Sequence, residues 1–158
     1  MEEETLQFLT ELENRHGGPI GYKTYSTWFA STDGTIREFG VFLYEINGVF
    51  YYEDFERMPS LFGFSLKPSK KRPAYVKMEG SFDPAAVISC TEVSKSQAQA
   101  CADGYKAYDQ IPEATVVQRI FSPLVSRLVF KEGHALFFEV IDRKAFKALF
   151  KGALDGSL

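Results

Sequence analysis

The stretch REFGVFLYEINGVFYYEDFE (37–56) constrains the fold more than any other part of the chain. Asn47-Gly48 lies between two alternating apolar runs. This pair is preferred in a two-residue type I′ hairpin, where both turn residues take positive φ. The turn sets the register, so Phe39, Val41 and Leu43 are expected on one face of the first strand. Phe42, Tyr44 and Ile46 are expected on the other. A strand that is apolar on both faces must be interior or covered by another element.

Composition points the same way. The 158 residues include 15 Phe, 8 Tyr and 1 Trp. Aromatic side chains favour strands and bring large buried areas, which predicts a β-rich core. A chain of this length buries about 68–70% of its unfolded surface, enough for one domain. Further strands are read in IGYKTYSTWFAS (20–31), SLFGFSL (60–66), AYVKME (74–79), AAVISCTEV (85–93), ATVVQRIF (114–121), and the hairpin LVSRLVF-KEGH-ALFFEVI (124–141) around Gly133. Asp33-Gly34 marks a turn, and SQAQACADG (96–104) a short helix.

Two helices bracket this core. In residues 1–16, Glu2 to Glu4 suit the positive end of a helix dipole, and Arg15 and His16 suit the other end. Leu6, Phe8, Leu9 and Leu12 form its apolar stripe. In residues 142–152, Asp142 is the N-cap, Ala145, Phe146, Leu149 and Phe150 form the buried stripe, and Gly152 is the stop. Arg143, Lys144, Lys147 and Lys151 make a basic outer face. The domain plan is therefore single, over 1–158, with a β-rich core at 20–141.

Charge is segregated. The net charge is −3, yet Arg57 to Met78 holds six bases (Arg57, Lys67, Lys70, Lys71, Arg72, Lys77) and no acid. Residues 1–56 carry eleven acids against three bases. Lys67, Lys70, Lys71 and Arg72 are the candidate ligand-binding residues, for an anionic lipid or another anionic ligand. Pro68 and Pro73 keep them out of a central strand, and a solvated, edge-protecting loop is the competing reading. Overall acidity argues against a general nucleic-acid binder.

Catalytic and metal motifs are not found. His16 and His134 have no ligand spacing and are expected to be exposed. Cys90 and Cys101 are expected to be buried, inert thiols. Glu53, Asp54 and Glu56 follow a strand and read as its solvated end. No catalytic residue, metal ligand or cofactor is assigned. The acidic N-terminus lacks signal-peptide character, and no apolar run reaches the roughly 18–20 residues of a membrane span. A cytoplasmic protein is the expectation.

FDPAAVISCTEV, the hairpin at 124–141 and the amphipathic helix after it resemble the pleckstrin-homology-like (PH/GRAM-like) fold over roughly residues 74–151. The resemblance implies an α+β domain, mainly an antiparallel β barrel or sandwich, with a terminal helix plugging its open end. It also implies a non-catalytic binding or scaffold module that recognises an anionic lipid or a protein partner. One alternative is a small-ligand carrier or small enzyme with an aromatic-lined pocket. Another is a single-stranded nucleic-acid binder, with exposed aromatics stacking bases beside the basic run. The direction in which the aromatic rings point separates the three.

Overall fold

The computed structural model describes residues 2–54 and 77–150. It begins with helix α1 (Glu2–His16), followed by strands β1 (Ile20–Ser26), β2 (Phe29–Ser31), β3 (Ile36–Arg37), β4 (Val41–Ile46) and β5 (Val49–Glu53). Next come β6 (Glu79–Phe82), β7 (Val87–Ser94), helix α2 (Lys95–Ala102) and helix α3 (Val116–Phe121). Strands β8 (Leu124–Phe130) and β9 (Ala135–Phe138) precede helix α4 (Arg143–Ala148). The strands form two antiparallel sheets, ordered β1-β4-β5-β6 and β3-β2-β9-β8-β7. The protein is thus α+β, and no helix among the described residues is long and apolar enough to cross a membrane.

The β4–β5 turn has the expected geometry. Asn47 and Gly48 take φ of 53° and 82°, and Ile46 pairs directly with Val49 across them. Alternation along β4 then sends Val41 and Leu43 into one hydrophobic cluster and Tyr44 and Ile46 into another. Phe39 does not join them: it precedes the strand and is exposed.

Residues 20–31 read as one strand in the sequence, but the structure divides them between the sheets. At the division Ser26 Oγ donates to the Trp28 carbonyl. The Thr27 N–H donates to the Glu139 carbonyl, and the Glu139 N–H donates to that of Trp28. Gly40 lies against this bend with φ of 80°, and a Cβ there would overlap the Ser26 carbonyl. Only glycine meets both demands, a left-handed backbone and a close approach.

Both sheets contribute to one core. Phe29, Leu43, Phe50, Phe82, Phe130 and Phe138 belong to it, together with Phe146 and Phe150 from α4 and its C-terminal end. The rings touch one another: Phe50 stacks on Phe82 at 5.2 Å, and Phe82 meets Phe130 edge-on at 5.3 Å. On the outer face of the first sheet, Leu12 of α1 packs with Tyr44 and Ile46, and Phe8 meets Phe42 edge-on. Leu6, read as part of that stripe, is exposed. On the second sheet, α2 places Ala98 and Cys101 against Trp28, Val125 and Phe137.

The structure corrects other sequence-based readings. ATVVQRIF is helical from Val116, because Thr115 and Gln118 form a reciprocal capping box that outweighs its β-branched residues. Of AYVKME (74–79), residues 74–76 lie outside the described residues, Lys77 and Met78 are not in a strand, and β6 begins at Glu79. In α4 only Phe146 is buried, and Phe150 follows the helix; Ala145 and Leu149 are exposed, since six helical residues present one narrow face to the core. SLFGFSL and Gly152 lie outside the described residues.

Two substitutions test this architecture. Gly48→Val is expected to destabilise the protein by about 1–3 kcal/mol, because a β-branched residue must hold positive φ. Phe146→Ala is expected to cost about 3–5 kcal/mol through loss of a fully buried ring. Chemical denaturation against the parent protein checks both.

Candidate functional site

Two polar assemblies could carry chemistry, and they differ in what holds them. The first lies at the end of β5. Glu53 and Asp54 are not a solvated strand end: they are 3% and 6% exposed. Arg37 Nε donates to both Asp54 oxygens at 3.1 and 3.2 Å, and the Met78 N–H donates to Oδ2 at 2.8 Å. Glu53 Oε2 accepts from Arg15 at 3.1 Å and from the Tyr44 hydroxyl at 3.3 Å. Its Oε1 is without a hydrogen bond and faces Lys77 Nζ at 3.6 Å. Buried carboxylates require such cations, and here the protein supplies them from α1, β3 and the chain entering β6.

His16 extends this network. Its Nε2 lies 2.9 Å from the Tyr44 oxygen, and its ring stacks on Tyr51. Because the Tyr44 hydroxyl donates to Glu53, His16 Nε2 carries the proton it gives to Tyr44. Burial pushes the Tyr44 phenol up, and the Glu53 carboxylate adds to that. Burial, helped by the Arg15 cation, lowers His16, against a weaker upward pull from Glu53 and Glu79. Both histidines were expected to be exposed; both are half-buried, His134 stacking on Phe130.

The cysteines are buried in different clusters, Cys90 in the shared core and Cys101 under α2. Burial pushes the Cys90 thiol up to about 12 and also raises Cys101, which keeps both protonated and weakly nucleophilic. The basic candidates Lys67, Lys70, Lys71 and Arg72 lie outside the described residues. Lys77, from the same run, is bound to Glu53 and Glu79.

The second assembly is the outer surface of α3 and the start of α4. At 100° per residue, Val116, Ile120, Val117 and Phe121 share an arc of about 140° on α3. A surface helix normally turns such an arc inward. Here all four side chains are 65–80% exposed. Arg119, off the arc, reaches Glu92 Oε2 with Nη1 at 3.0 Å, and Gln118 is half-buried. The helix is inverted, with its polar side tied to the protein and its apolar side in water.

Specific bonds hold it that way. The Ala114 N–H donates to the Glu92 carbonyl at 2.8 Å just before the cap, and the Lys95 N–H donates to the Pro123 carbonyl at 3.0 Å just after the helix. Upstream, the buried Arg127 guanidinium donates to the carbonyls of Tyr108 and Ile111 at 2.8 and 2.6 Å. The connection into α3 is therefore pinned to β7 and β8.

Beside α3 is an open depression of about 320 Å³. Arg119, Arg143 and Lys144 supply its cations, Glu92 and Asp142 its acids, and Leu124 and Ile141 its apolar wall. Ile141 is 86% exposed. Glu92 Oε2 accepts from both Arg119 and Arg143, while Asp142 Oδ1 caps α4 by accepting from the Ala145 N–H at 3.0 Å. Three cations against two acids leave the depression a single excess positive charge, and Arg119 and Arg143 are themselves bonded to Glu92.

Neither a family model nor a curated protein matches this chain. The site is therefore read from its own geometry. The sequence offered Lys67, Lys70, Lys71 and Arg72 as candidates and did not single out α3. The available signal was the T-x-x-Q capping box at Thr115–Gln118, which marks a helix start; nothing local marks which way that helix faces.

The His16 network has a pH signature. Its imidazole binds a proton less readily in the folded state than in the unfolded chain, so its contribution is complete above the ordinary value of about 6.5. That contribution is lost as pH falls toward the lowered folded value. The melting temperature is expected to drop between about pH 7 and about pH 5, and less so in His16→Gln. Equal pH slopes in the two proteins would remove His16 from this account.

Proposed function

We propose that the protein is a non-catalytic binding module of PH-like architecture, and that the α3–α4 surface is where its partner docks. The observation that carries this is the inverted helix. Four large apolar side chains held in water by specific capping and ion-pair contacts are the signature of a surface that is covered in use.

Several features support the PH-like part of the reading. One bent stretch, residues 20–31, contributes an outer strand to the first sheet and pairs with β9 in the second. The segments β4-β5-β6 and β7-β8-β9 each run as an antiparallel meander, and the residues of α4 close on the shared core. On this reading the two sheets are the halves of one strongly bent barrel, and the N-terminal half belongs to it as much as residues 74–151. Aromatic rings in mutual contact occupy the space between the sheets, which favours a module over a carrier with an internal pocket.

Ile120→Cys, labelled with an environment-sensitive fluorophore, tests the docking face, since the native thiols are buried. A blue shift is expected when soluble or membrane fractions of a cell extract are added. Tyr105→Cys, at an exposed aromatic residue outside this helix, should give no shift. Silence of the position-120 probe in every fraction, or an equal response at 105, would remove α3 as a docking surface.

A further inference from the structure

The shape and charge of this face also identify its partner. Resting on the docking-face reading above, we infer that the α3–α4 surface pairs with a second copy of this chain about a two-fold axis. The two α3 helices cross antiparallel, and the apolar ridge of each lies against the depression of the other.

Three observations lead there. The first is area. Val116, Val117, Ile120, Phe121 and Ile141 are 65–86% exposed. Side chains of this size then present on the order of 600 Å² of apolar surface, against roughly 800 Å² from each partner in a stable interface. The polar margin of the depression supplies the remainder. The second is shape. The α3 ridge stands beside a depression of about 320 Å³ whose wall, Leu124 and Ile141, is apolar. A two-fold contact sets the same patch against itself, so a face that carries a ridge and a hollow side by side supplies each copy with the complement of the other.

The third is charge. The exposed arc of α3 carries no charged residue, as suits the centre of a contact between identical chains. The two ends of the helix differ. Glu113 is exposed two residues before the cap. The depression lies toward the other end, since Arg119 from the last turn and Leu124 just beyond the helix line it. Glu92 holds Arg119 and Arg143, which leaves the exposed Lys144 as the cation there that Glu92 does not hold. Antiparallel crossing brings Glu113 toward the partner subunit's Lys144, and the two-fold axis makes that approach twice. An unrelated partner would need its own ridge, hollow and reversed charge to do the same; a second copy has all three.

The test is sedimentation velocity of the full chain over a concentration series. The parent is expected to pass from one chain to two as its concentration rises, and no further, because a two-fold contact closes. Ile120→Ser/Phe121→Ser alters exposed positions, so it should keep the parent's denaturant midpoint at dilution while weakening self-association about tenfold or more. Glu113→Lys and Lys144→Glu should each weaken it about threefold or more. Combined in one chain they restore opposite charge across the axis, so the double variant should return close to parental affinity.

The inference is overturned if the parent stays a single chain at the highest concentration reached, or if the serine variant self-associates like the parent. It is equally overturned if the double charge variant recovers nothing over the single ones. The position-120 probe, held at dilution, separates this inference from the docking face itself. A blue shift on adding unlabelled parent chain is expected. A probe that ignores the parent chain but responds to a cell fraction discards the second copy and keeps the docking face. If it is silent to both, both readings fall.

Discussion

The bend at Ser26–Trp28 is the constraint on which the rest of the structure depends. One continuous stretch supplies β1 to the first sheet and β2 to the second, so the bend couples the placement of the two sheets. The hydrogen bonds from Ser26 Oγ and between Thr27, Trp28 and Glu139 hold that bend, and the missing Cβ of Gly40 lets the chain before β4 pass against it. With the bend in place, Phe29 faces Phe138 on its own sheet and Tyr52 on the other. The aromatic core is a consequence of that corner as much as of the Phe content.

Buried charge in this protein secures connections. Arg127 is spent on backbone carbonyls at Tyr108 and Ile111. Burial lowers its affinity for a proton, yet guanidinium remains charged and must find acceptors. Those acceptors lie on the connection between α2 and α3, so one buried side chain fixes a segment that no strand pairs. Glu53 and Asp54 act similarly at the opposite sheet, joining α1, β3 and the chain at Met78. Both arrangements use residue types that resemble functional groups in a sequence and serve as struts in the fold.

The inverted α3 depends on those struts. A six-residue helix is too short to be stable alone, so its contacts decide its orientation. Arg119 bonded to Glu92 and the cap at Thr115 turn Val116, Val117, Ile120 and Phe121 outward. An ordinary amphipathic helix gains stability by hiding such residues. This one leaves them in water, so one ion pair and one cap decide which side chains the surface exposes.

The Asn47-Gly48 hairpin, the two-sided burial of β4, the β8–β9 hairpin and the two bracketing helices were legible in the sequence. Each is decided by turn chemistry, capping or side-chain period within a few residues. The split of residues 20–31 was not legible, because each half pairs with a strand distant in the chain. Nor was the burial of Glu53 and Asp54, whose partners Arg15, Arg37 and Met78 lie on other elements. Val116-Val117 favours a strand by propensity, and the capping box that overrides it shows only that a helix begins. The direction in which that helix faces was decided by the tertiary structure alone, because it is set by Glu92, on a strand more than twenty residues earlier.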